Sequence, residues 1–368
     1  MSSKKVRNRP FLRSCVSISD ARFRRMGEPS FATLRKATCS PGGRVALLRP
    51  PILGGLRIRL IRYAFLFNPA AGKGRTLRDK GRIRAALDAA GLAGDFLDTE
   101  RPGHAADLAE EAGKSGVDAV VAIGGDGTVN EAVNGLMRLP EAKRPAFGLV
   151  PDGTGNDYGF ALRLRPGDLT GATRVLQAGS ARVLDVGEMN GRFFANSVGL
   201  GFDGAVAEAA SKVRYLKGFP AYLWSVFTVL VEWTNFELKL TVDGRILEGL
   251  AFLAAVANGP RSGGGFLLAP DARPDDGLFD VCRLGDLGKL EALRHLPKAL
   301  DGSHVGLPWV TIRRAREVTL ASDRPLTAHI DGNLIFGAGH PEPLVFRMHP
   351  RALRVIGNWE EDGAQGRN

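Results

Sequence analysis

The feature that most constrains the fold is a regular alternation of short apolar runs and amphipathic segments between residues 63 and 182. Four of the runs are short, apolar and bounded by turn signals, and the third has the continuous apolarity of a strand buried on both faces. They are YAFLFNP (63–69), GDFLDTE (94–100), VDAVVAIGG (117–125) and PAFGLVPDGTGND (145–157). This βαβ series predicts a parallel sheet with helices on both faces and a ligand site at the carboxyl ends of its strands.

Three glycine-bearing turns fall at that predicted edge of the sheet. They are NPAAGKG (68–74), GGDGT (124–128) and PDGTGND (151–157). Glycine lets a backbone turn sharply and approach a ligand closely, and a helix that begins after the turn offers N–H groups to an anion. NPAAGKG lacks the spacing of a Walker A loop. Asp126 lies within the second turn, where it would repel a phosphate unless a cation sits between them.

The pattern changes after about residue 182. Short strand-like pieces alternate with Gly and Pro turns, and Asn190-Gly191 and Asp243-Gly244 are hairpin signals. These features predict an antiparallel second domain, a β-sandwich, interrupted by one helical insert over 217–233. For this insert three interpretations stay open: core packing, a lip over a lipid-binding cleft, or an interfacial contact with a membrane.

The charge is distributed unevenly along the 368 residues. The net charge is +11, but residues 1–62 carry 15 Lys and Arg against two acids, so the remainder is close to neutral. The basicity therefore does not indicate a nucleic-acid partner for the folded body. We interpret 1–62 as a disordered leader, a start placed too early, a targeting segment or a tether to anionic lipid. The three distant cysteines argue for a reducing compartment, and no run of 18 apolar residues predicts a membrane span.

Taken together and in this order, the glycine turns resemble those of the diacylglycerol kinase catalytic-domain family, in its bacterial lipid-kinase branch, which is related to sphingosine and ceramide kinases. The resemblance runs from about residue 63 to residue 357, and further matching segments lie at 183–204, 257–281 and 329–333. It implies a phosphofructokinase-like α/β nucleotide-binding domain and a C-terminal antiparallel β-sandwich domain, with the active site in the cleft between them. The corresponding divisions are the leader 1–62, the α/β domain 63–182, the sandwich 183–357, whose last segment is a candidate to return to the first domain, and a tail 358–368.

The resemblance also implies which residues bind ATP and Mg²⁺. The expected ATP-binding residues are Asn68, Pro69, Ala70, Ala71, Gly72, Lys73, Thr99, Gly125, Asp126, Gly127, Thr128, Val129, Asn130, Glu131 and Thr154. A water-mediated magnesium network is expected at Asp126, Asp157 and Asp185, although Asp157 could instead cap a helix and Asp185 could be a turn acid. A second, structural magnesium is expected at the Asp276 side chain and the carbonyls of Arg273 and Leu278, unless Asp275 to Gly277 is merely a turn.

The segment HIDGN (329–333) departs from the family pattern. The family usually has Asp-Gly-Glu here, with the glutamate commonly assigned as proton acceptor from the lipid hydroxyl. This chain has Asn333, whose amide cannot accept that proton. Asp331 is intact and is the alternative base, although positioning and charge stabilisation dominate phosphoryl transfer. We therefore name Asp331, Asn333 and Asp126 as the candidate catalytic residues.

The predicted function is that of an ATP- and Mg²⁺-dependent lipid kinase in phospholipid metabolism, which phosphorylates a diacylglycerol-like hydroxyl. A nucleotide- or lipid-binding pseudokinase, motivated by Asn333, is the alternative. An NAD kinase, which also carries GGDGT, is disfavoured because no TGSTAY-like segment follows. The expected partner is a membrane lipid at the bilayer surface, with no nucleic acid and no transmembrane span. A cytoplasmic, peripherally membrane-associated protein is expected, and a homodimer stays open.

Overall fold

The computed structural model describes residues 61–213, 216 and 219–359, together with two short strands near the end of the leader. Those strands, β1 (Ile52–Leu53) and β2 (Leu56–Arg57), pair antiparallel within a separate compact unit, Met1–Arg59. The rest of the predicted leader up to residue 60, and residues 360–368 of the predicted tail, lie outside the described residues. All that follows concerns the second unit, Leu60–Asn368.

The N-terminal lobe of this unit is an α/β layer structure. Its strands are β3 (Tyr63–Phe67), β4 (Gly94–Asp98), β5 (Ala119–Gly124) and β6 (Ala146–Pro151), and its helices are α1 (Ala71–Ala89), α2 (His104–Lys114), α3 (Asp126–Met137), α4 (Asp157–Ala161) and α5 (Leu169–Ala178), with a 3₁₀ turn at Glu141–Lys143. The four strands are parallel in the order β4-β3-β5-β6. This confirms the predicted parallel sheet.

Both faces of this sheet are buried, which explains the continuous apolar runs. Leu66 of β3 packs in a cluster with Val133 of α3, whereas its neighbour Phe65 packs on the opposite face with Ile83 of α1. Successive strand residues point to opposite faces, so a strand covered on both sides has to be apolar throughout. The helices on the two faces therefore fix the carboxyl ends of the strands as the open edge.

In its described residues, the C-terminal lobe is an antiparallel β-sandwich with three helices. Its strands are β7 (Ala181–Met189), β8 (Arg192–Phe194), β9 (Ser197–Gly201), β10 (Phe236–Val242), β11 (Arg245–Ala251), β12 (Leu253–Ala257), β13 (Phe279–Leu284), β14 (Val310–Ala315), β15 (Glu317–Ser322), β16 (Leu326–Ile330), β17 (Asn333–Ala338) and β18 (Leu344–Ile356), and its helices are α6 (Phe202–Lys212), α7 (Phe219–Glu232) and α8 (Lys289–Asp301), with a 3₁₀ turn at Ser303–Gly306. One sheet runs β14-β13-β12-β9-β16-β17, and the other contains β11-β10-β15-β18 with β7 and β8 beside β18.

Hairpin chemistry and core packing agree with the predicted sandwich. Asn190-Gly191 joins β7 to β8, and Asp243-Gly244 joins β10 to β11, each with positive φ at both turn residues, as a type I′ turn requires. Large apolar side chains from the two sheets meet between them, among them Phe194 and Phe279, whose rings stack 5.6 Å apart. Within the described residues, the predicted helical insert over 217–233 forms α7.

The two lobes share a continuous sheet. Strand β18 pairs antiparallel with β7 and β15 in the sandwich and, at Val355, parallel with Phe147 of β6. Ten strands therefore belong to one sheet that passes from the sandwich into the α/β lobe. The last strand of the chain thus lies next to the first domain.

Candidate active site

The three glycine turns meet at the carboxyl edge of the parallel sheet and are tied to one another. The Asn68 amide, after β3, donates a hydrogen bond to the Thr128 hydroxyl, after β5, at 2.9 Å. The Thr76 hydroxyl of α1 donates to the carbonyl of Asp152, after β6, at 3.0 Å. These bonds link the first turn to the other two, so the three turns form one rigid rim.

Two of the turns touch so closely that glycine is required. A Cβ at Gly125 would lie 2.9 Å from the Cα of Gly153, a separation that real side chains do not tolerate. In the first turn Gly72, Lys73 and Gly74 all have positive φ, so the backbone leaves the helical path there before α1 continues. The glycines thus bring three backbones together at the point where a phosphate would bind.

A cavity of about 600 Å³ opens over this rim, between the two lobes. Of the predicted site residues, those that line it are Asn68, Pro69, Ala70, Ala71, Gly72, Lys73, Thr99, Gly125, Asp126, Gly127, Thr128, Glu131, Thr154, Asp157, Asp331 and Asn333. The opposite wall comes from the second lobe and includes Ala207, Tyr222 and His329. The cleft therefore brings the predicted nucleotide turns and the HIDGN segment together.

Asp126 occupies the first helical position of α3, directly after the glycine turn. Its Oδ1 accepts the N–H of Tyr158 at 3.1 Å. Asp157 opens α4, and its carboxylate accepts the N–H of Gly264 at 2.8 Å. A Cβ at Gly155 would lie 2.7 Å from Asp126 Oδ2 and 3.6 Å from Asp157 Oδ2, so both carboxylates converge beside this glycine.

The two carboxylates repel each other electrostatically. Burial, followed by the charge of Asp157, raises the pKa of Asp126 above its usual range, and burial also raises the pKa of Asp157. Among the described residues no three His, Cys, Asp or Glu side chains are grouped to hold a metal unaided. The pair fits a magnesium ion whose remaining ligands are water and phosphate oxygens, because Mg²⁺ commonly binds through one or two carboxylates and the substrate phosphates.

Asp331 lies at the turn between β16 and β17, and its carboxylate accepts four hydrogen bonds. Oδ1 accepts the backbone N–H groups of Asn196 and Ser197 at 3.0 and 2.9 Å, and Oδ2 accepts from the Ala195 N–H and the Asn130 amide at 2.8 and 3.1 Å. Burial raises the pKa of the Asp331 carboxyl, and these four donors counteract it. Three of the four donors belong to the sandwich, and the Asn130 amide of α3 ties the carboxylate to the other lobe.

Asn333 faces the second glycine turn. Its Nδ2 donates to the Asn130 Oδ1 at 3.1 Å, and its own Oδ1 lies 3.0 Å from the point where a Cβ at Gly127 would be. The amide that replaces the expected glutamate is therefore beside the N-terminus of α3. Asn130 is not part of the cleft surface; it is buried and hydrogen-bonds to both Asn333 and Asp331.

Three other expected ATP ligands have structural partners. Val129 is 1% exposed and packs in the core, because its position on α3 turns toward the sheet. Glu131 accepts hydrogen bonds from the N–H groups of Gly103 and Ala105, and so provides acceptors for N–H groups at the start of α2 that have none within the helix. Lys73 donates from Nζ to the Val213 carbonyl at 2.7 Å, across the cleft at the end of α6.

Asp185 lies apart from the cleft. Its carboxylate accepts the N–H of Gly277 at 2.6 Å and that of Arg351 at 2.7 Å, and the side chain is buried. Burial raises the pKa of Asp185, while these two bonds oppose the shift. Its position does not support the expected place in the cleft magnesium network, because both oxygens are used to fix loops of the sandwich.

At the expected structural magnesium site, the positive charge beside Asp276 is that of an arginine side chain. One oxygen of Asp276 forms an ion pair with Arg314 of β14, and the other accepts the N–H of Leu278 at 3.1 Å. The Arg314 Nε also lies 3.9 Å from Asp280 on β13. The carboxylate is thus already neutralised by a guanidinium, and a magnesium ion with the Arg273 and Leu278 carbonyls would have to displace it.

Two pairs of charged residues escaped the sequence analysis. Asp203 of α6 accepts from His329 Nε2 at 2.9 Å and from the Tyr222 hydroxyl at 2.7 Å, deep in the wall of the cleft. Arg75 pairs with Asp152 at 2.9 Å. The six histidines showed no motif, and His329 pairs with a residue 126 positions away, so no local pattern could have revealed it.

The comparisons with known proteins agree with this architecture. The diacylglycerol kinase catalytic domain family matches residues 62–189, and the YegS C-terminal NAD kinase beta sandwich-like domain family matches residues 196–357. A diacylglycerol kinase of Staphylococcus aureus (strain Newman) is 33% identical over 277 residues, covering 74% of this chain and 85% of that protein. A crystal structure of a diacylglycerol kinase from Bacillus anthracis str. Sterne is 24% identical, with a TM-score of 0.62 over 82% of this chain and 97% of that one.

These features define a two-lobed kinase with an α/β lobe and a β-sandwich lobe. The chain belongs to the diacylglycerol kinase family and is a diacylglycerol kinase-like lipid kinase. The second family description refers to NAD kinase, but the relative with 33% identity along most of the chain is a diacylglycerol kinase. In the described part of the chain no helix has the length and apolarity needed to cross a bilayer.

Proposed function

We propose that this chain transfers the γ-phosphate of ATP to the hydroxyl of a diacylglycerol-like lipid in a magnesium-dependent reaction. The observation that supports this most is the convergence of Asp126 and Asp157 beside a rim of three glycine turns. The Arg261 guanidinium lies 3.6 Å from Asp157, so a bound cation would chiefly neutralise Asp126 and the phosphates beside it. Magnesium, when bound, neutralises the negative charge that spreads over the phosphates in the transition state.

The nucleotide phosphates would lie along the rim. The N-terminus of α3, at Asp126 and Gly127, lies at the cleft, and a helix N-terminus favours anions. Thr99 and Thr154 also line the cleft, and we assign their hydroxyls as donors to phosphate oxygens. Gly125 and Gly153 allow the backbone to come close to phosphate oxygens. We therefore assign triphosphate binding to this rim, as the sequence predicts.

The lipid hydroxyl would approach from the second lobe, where the cleft wall includes Ala207, Ala221 and Tyr222. In the transfer, the bond between the γ-phosphorus and the β–γ bridging oxygen breaks as a bond forms to the lipid oxygen. The hydroxyl proton then leaves to water or to a phosphate oxygen. Because Asp331 already accepts four hydrogen bonds, we assign it the role of holding the lobes in register, and not that of the base.

Transfer without a glutamate is consistent with phosphoryl-transfer chemistry. The transition state is loose in most descriptions, so positioning and charge neutralisation supply most of the rate and base catalysis less. Asn333 can accept a hydrogen bond from the lipid hydroxyl through Oδ1 while its Nδ2 is held by Asn130. A protein that binds nucleotide and lipid without transferring phosphate is the competing function that Asn333 favours.

The test is transfer of radiolabelled γ-phosphate from ATP to diacylglycerol in mixed micelles with Mg²⁺. Wild type is compared with Asp126→Ala and with a matched control, Asp95→Ala, whose carboxylate is exposed on β4. We expect labelled phosphatidic acid from wild type and control and a loss of at least a hundredfold in Asp126→Ala. Absence of label in all three, with ATP still bound, would instead support the pseudokinase. Equal labelling by Asp126→Ala would remove Asp126 from the mechanism.

A further inference from the structure

A second groove between the two lobes, with a volume of about 1000 Å³, lies outside the catalytic cleft. The α/β lobe lines it with residues of α4, α5 and the loop between them, and the sandwich with residues of β7, Pro260 and the loop 272–275. Asn358 and Trp359, which follow β18, complete the lining. Among the described residues none lines both this groove and the cleft, so a ligand held here would be separate from the nucleotide.

Arginine dominates the charge of this groove, which we call the arginine groove. Its described lining contains five arginines, two aspartates and no lysine; the arginines are Arg163, Arg165, Arg174, Arg182 and Arg273. All of them except Arg182 are exposed to solvent. The chain after residue 62 is otherwise close to neutral, so a concave site with this excess of positive charge attracts anions.

The two aspartates of the groove already have partners. The Asp168 carboxylate caps α5, because its Oδ1 accepts the N–H of Gly171 at 2.8 Å. Asp275 Oδ1 lies 3.4 Å from the Nε of Arg273. Within the part of the chain that the structure describes, neither Arg165 nor Arg174 pairs with a carboxylate. Positive charge is therefore left for a ligand to neutralise.

The arginines suit phosphate groups in particular. A guanidinium is a planar donor that binds phosphate through two parallel hydrogen bonds, whereas an ammonium acts as a point charge. The Arg182 guanidinium lies 4.9 Å from the centre of the Trp359 ring, a contact that favours a fixed position for this guanidinium. The acceptor oxygens of one phosphate monoester are too few to engage five guanidinium groups in this way. The groove therefore fits an anion with two or more phosphate groups.

Helix α4 connects the arginine groove to the catalytic cleft. Its first residue, Asp157, lines the cleft, whereas Phe160 and Ala161 line the groove. The Arg261 guanidinium lies 5.0 Å from the centre of the Phe160 ring, and its Nε is 3.6 Å from Asp157. A ligand that rests against Phe160 would therefore act on the arginine that neutralises a candidate magnesium ligand.

We propose that the arginine groove binds a soluble anion with two or more phosphate groups, at a site separate from the cleft and in contact with both lobes. A lipid headgroup offers the same chemistry, but of the large apolar side chains in the described lining only Phe160 is exposed, so little apolar surface accompanies the arginines. Three acidic residues, 360–362, follow Trp359 in the sequence and are a further source of negative charge. The experiment separates these three sources.

The test is isothermal titration calorimetry of inorganic pyrophosphate into the full chain without nucleotide or Mg²⁺. It is run in 0.15 M NaCl, where exposed charges more than about 8 Å apart are largely screened. We compare wild type with Arg165→Gln/Arg174→Gln and with a matched control, Arg245→Gln/Arg347→Gln, which removes the same charge from exposed positions outside the groove. We expect at least tenfold weaker binding for the groove variant, less than a twofold change for the control, and an unchanged Tm for both, because all four side chains are exposed.

Each other outcome overturns the proposal in a distinct way. Equal binding by wild type and the groove variant would place the anion elsewhere, for example at the rim of the cleft. Equal losses in both variants would show a general effect of charge and no site. If wild type does not bind pyrophosphate, binding by Glu360→Gln/Glu361→Gln/Asp362→Asn would assign the groove to residues 360–362 of the chain itself.

Vesicles that contain phosphatidic acid test the lipid source. Binding of wild type to these vesicles, lost in the groove variant and accompanied by no binding of pyrophosphate, would replace the soluble anion by a lipid headgroup. Absence of binding by every form of the chain to either probe would remove the site altogether. None of these measurements involves phosphate transfer, so failure of the proposed kinase reaction would leave their results unaffected.

Discussion

The side-chain amide of Asn130 donates a hydrogen bond to Oδ2 of Asp331 at 3.1 Å, and so joins helix α3 of the nucleotide lobe to the β16–β17 turn of the sandwich. The same Asn130 accepts from Asn333 through Oδ1. Asp331 and Asn333, two of the three candidate catalytic residues, are therefore held by one residue of the opposite lobe. This relationship means that the geometry of the cleft depends on a polar network that bridges the lobes.

Replacing Asp331 by Asn tests whether this carboxylate is structural. The variant retains the shape but places an NH₂ group against N–H donors, so we expect a loss of about 2–4 kcal/mol in the free energy of unfolding. Urea denaturation followed by tryptophan fluorescence measures it, with Asp95→Asn as control. Full stability combined with lost transfer would contradict the positioning role and restore Asp331 as base.

Replacing Asp126 by Asn is expected to stabilise the protein when Mg²⁺ is absent. Because folding raises the pKa of Asp126, the ionised carboxylate lowers the free energy of unfolding at a pH above the folded-state pKa. This loss disappears as the pH falls below the pKa of Asp in the unfolded state, near 4. We expect the variant to gain about 1–2 kcal/mol at pH 8, or roughly 2–5 °C in Tm, and nothing at pH 4. Calorimetry with and without Mg²⁺ checks this, since the ion should reduce the difference in Tm between the variant and wild type. A lower Tm at pH 8 without Mg²⁺ would contradict the repulsion.

The Asp203–His329 pair should affect the free energy of unfolding in the opposite sense to Asp126, because here the charged forms of both residues stabilise the fold. Burial alone would raise the pKa of Asp203, but the charge and hydrogen bond of His329 outweigh it and hold this pKa below its usual range. Burial would likewise lower the pKa of His329, and Asp203 raises it instead. The contribution of Asp203 is lost as the pH falls through its lowered pKa, and that of His329 is lost as the pH rises through its raised pKa.

The pair should therefore stabilise the fold most between about pH 4 and 6.5. We expect Asp203→Asn to cost about 3 kcal/mol near pH 5.5, because it leaves a buried imidazolium without its counter-ion, and less at pH 9. Urea denaturation at both pH values, in a double-mutant cycle with His329→Gln, measures the coupling. Equal losses at the two values would show that the hydrogen bonds of Asp203, and not the ion pair, carry the effect.

Replacing Asn333 by Glu restores the residue that the family usually has and should raise kcat for lipid phosphorylation by about tenfold. This is less than the roughly 10²–10⁴-fold that a general base commonly supplies, because positioning and charge neutralisation dominate phosphoryl transfer. Asn333→Gln, which lengthens the side chain but retains the amide, is the matched control. The comparison is made at saturating ATP and diacylglycerol. A kcat for the Glu variant no higher than wild type would mean that proton removal does not limit the reaction.

Arg314 is expected to decide whether the PDDGL loop binds metal. Arg314→Ala frees one oxygen of Asp276, so thermal stability should fall without metal and recover with millimolar Mg²⁺, whereas wild type should respond to Mg²⁺ at this loop much less. Arg313→Ala, whose side chain is exposed, is the control. The amount of bound metal per chain, measured by mass spectrometry, is a second test of whether the loop binds Mg²⁺. Wild type that carries one tightly bound ion per chain in the absence of nucleotide would contradict this expectation.

Local patterns predict most of the α/β lobe, because strand length, apolar continuity and glycine turns are all encoded within a few residues. The positions of Asn68, Gly125 and Thr154 at one rim follow from the rule that parallel strands end at the same edge. The side chain of Val129 is buried in the core, because its position in the helix that begins at Asp126 turns it toward the sheet, and the local pattern does not reveal this. Pairs such as Arg314 with Asp276 depend on the register of neighbouring strands, which a single sequence does not specify.

The 13-residue strand β18 has a mechanical consequence. Its pairing with β7 shifts register between His349 and Leu353, and Arg351 there has a φ of 53° and donates its N–H to Asp185. Because β18 is hydrogen-bonded to strands of both lobes, the lobes are joined by a shared strand and not only by connecting loops. The irregular step at Arg351 is held by its N–H bond to the buried Asp185, so this carboxylate fixes the shape of the strand on which both lobes depend.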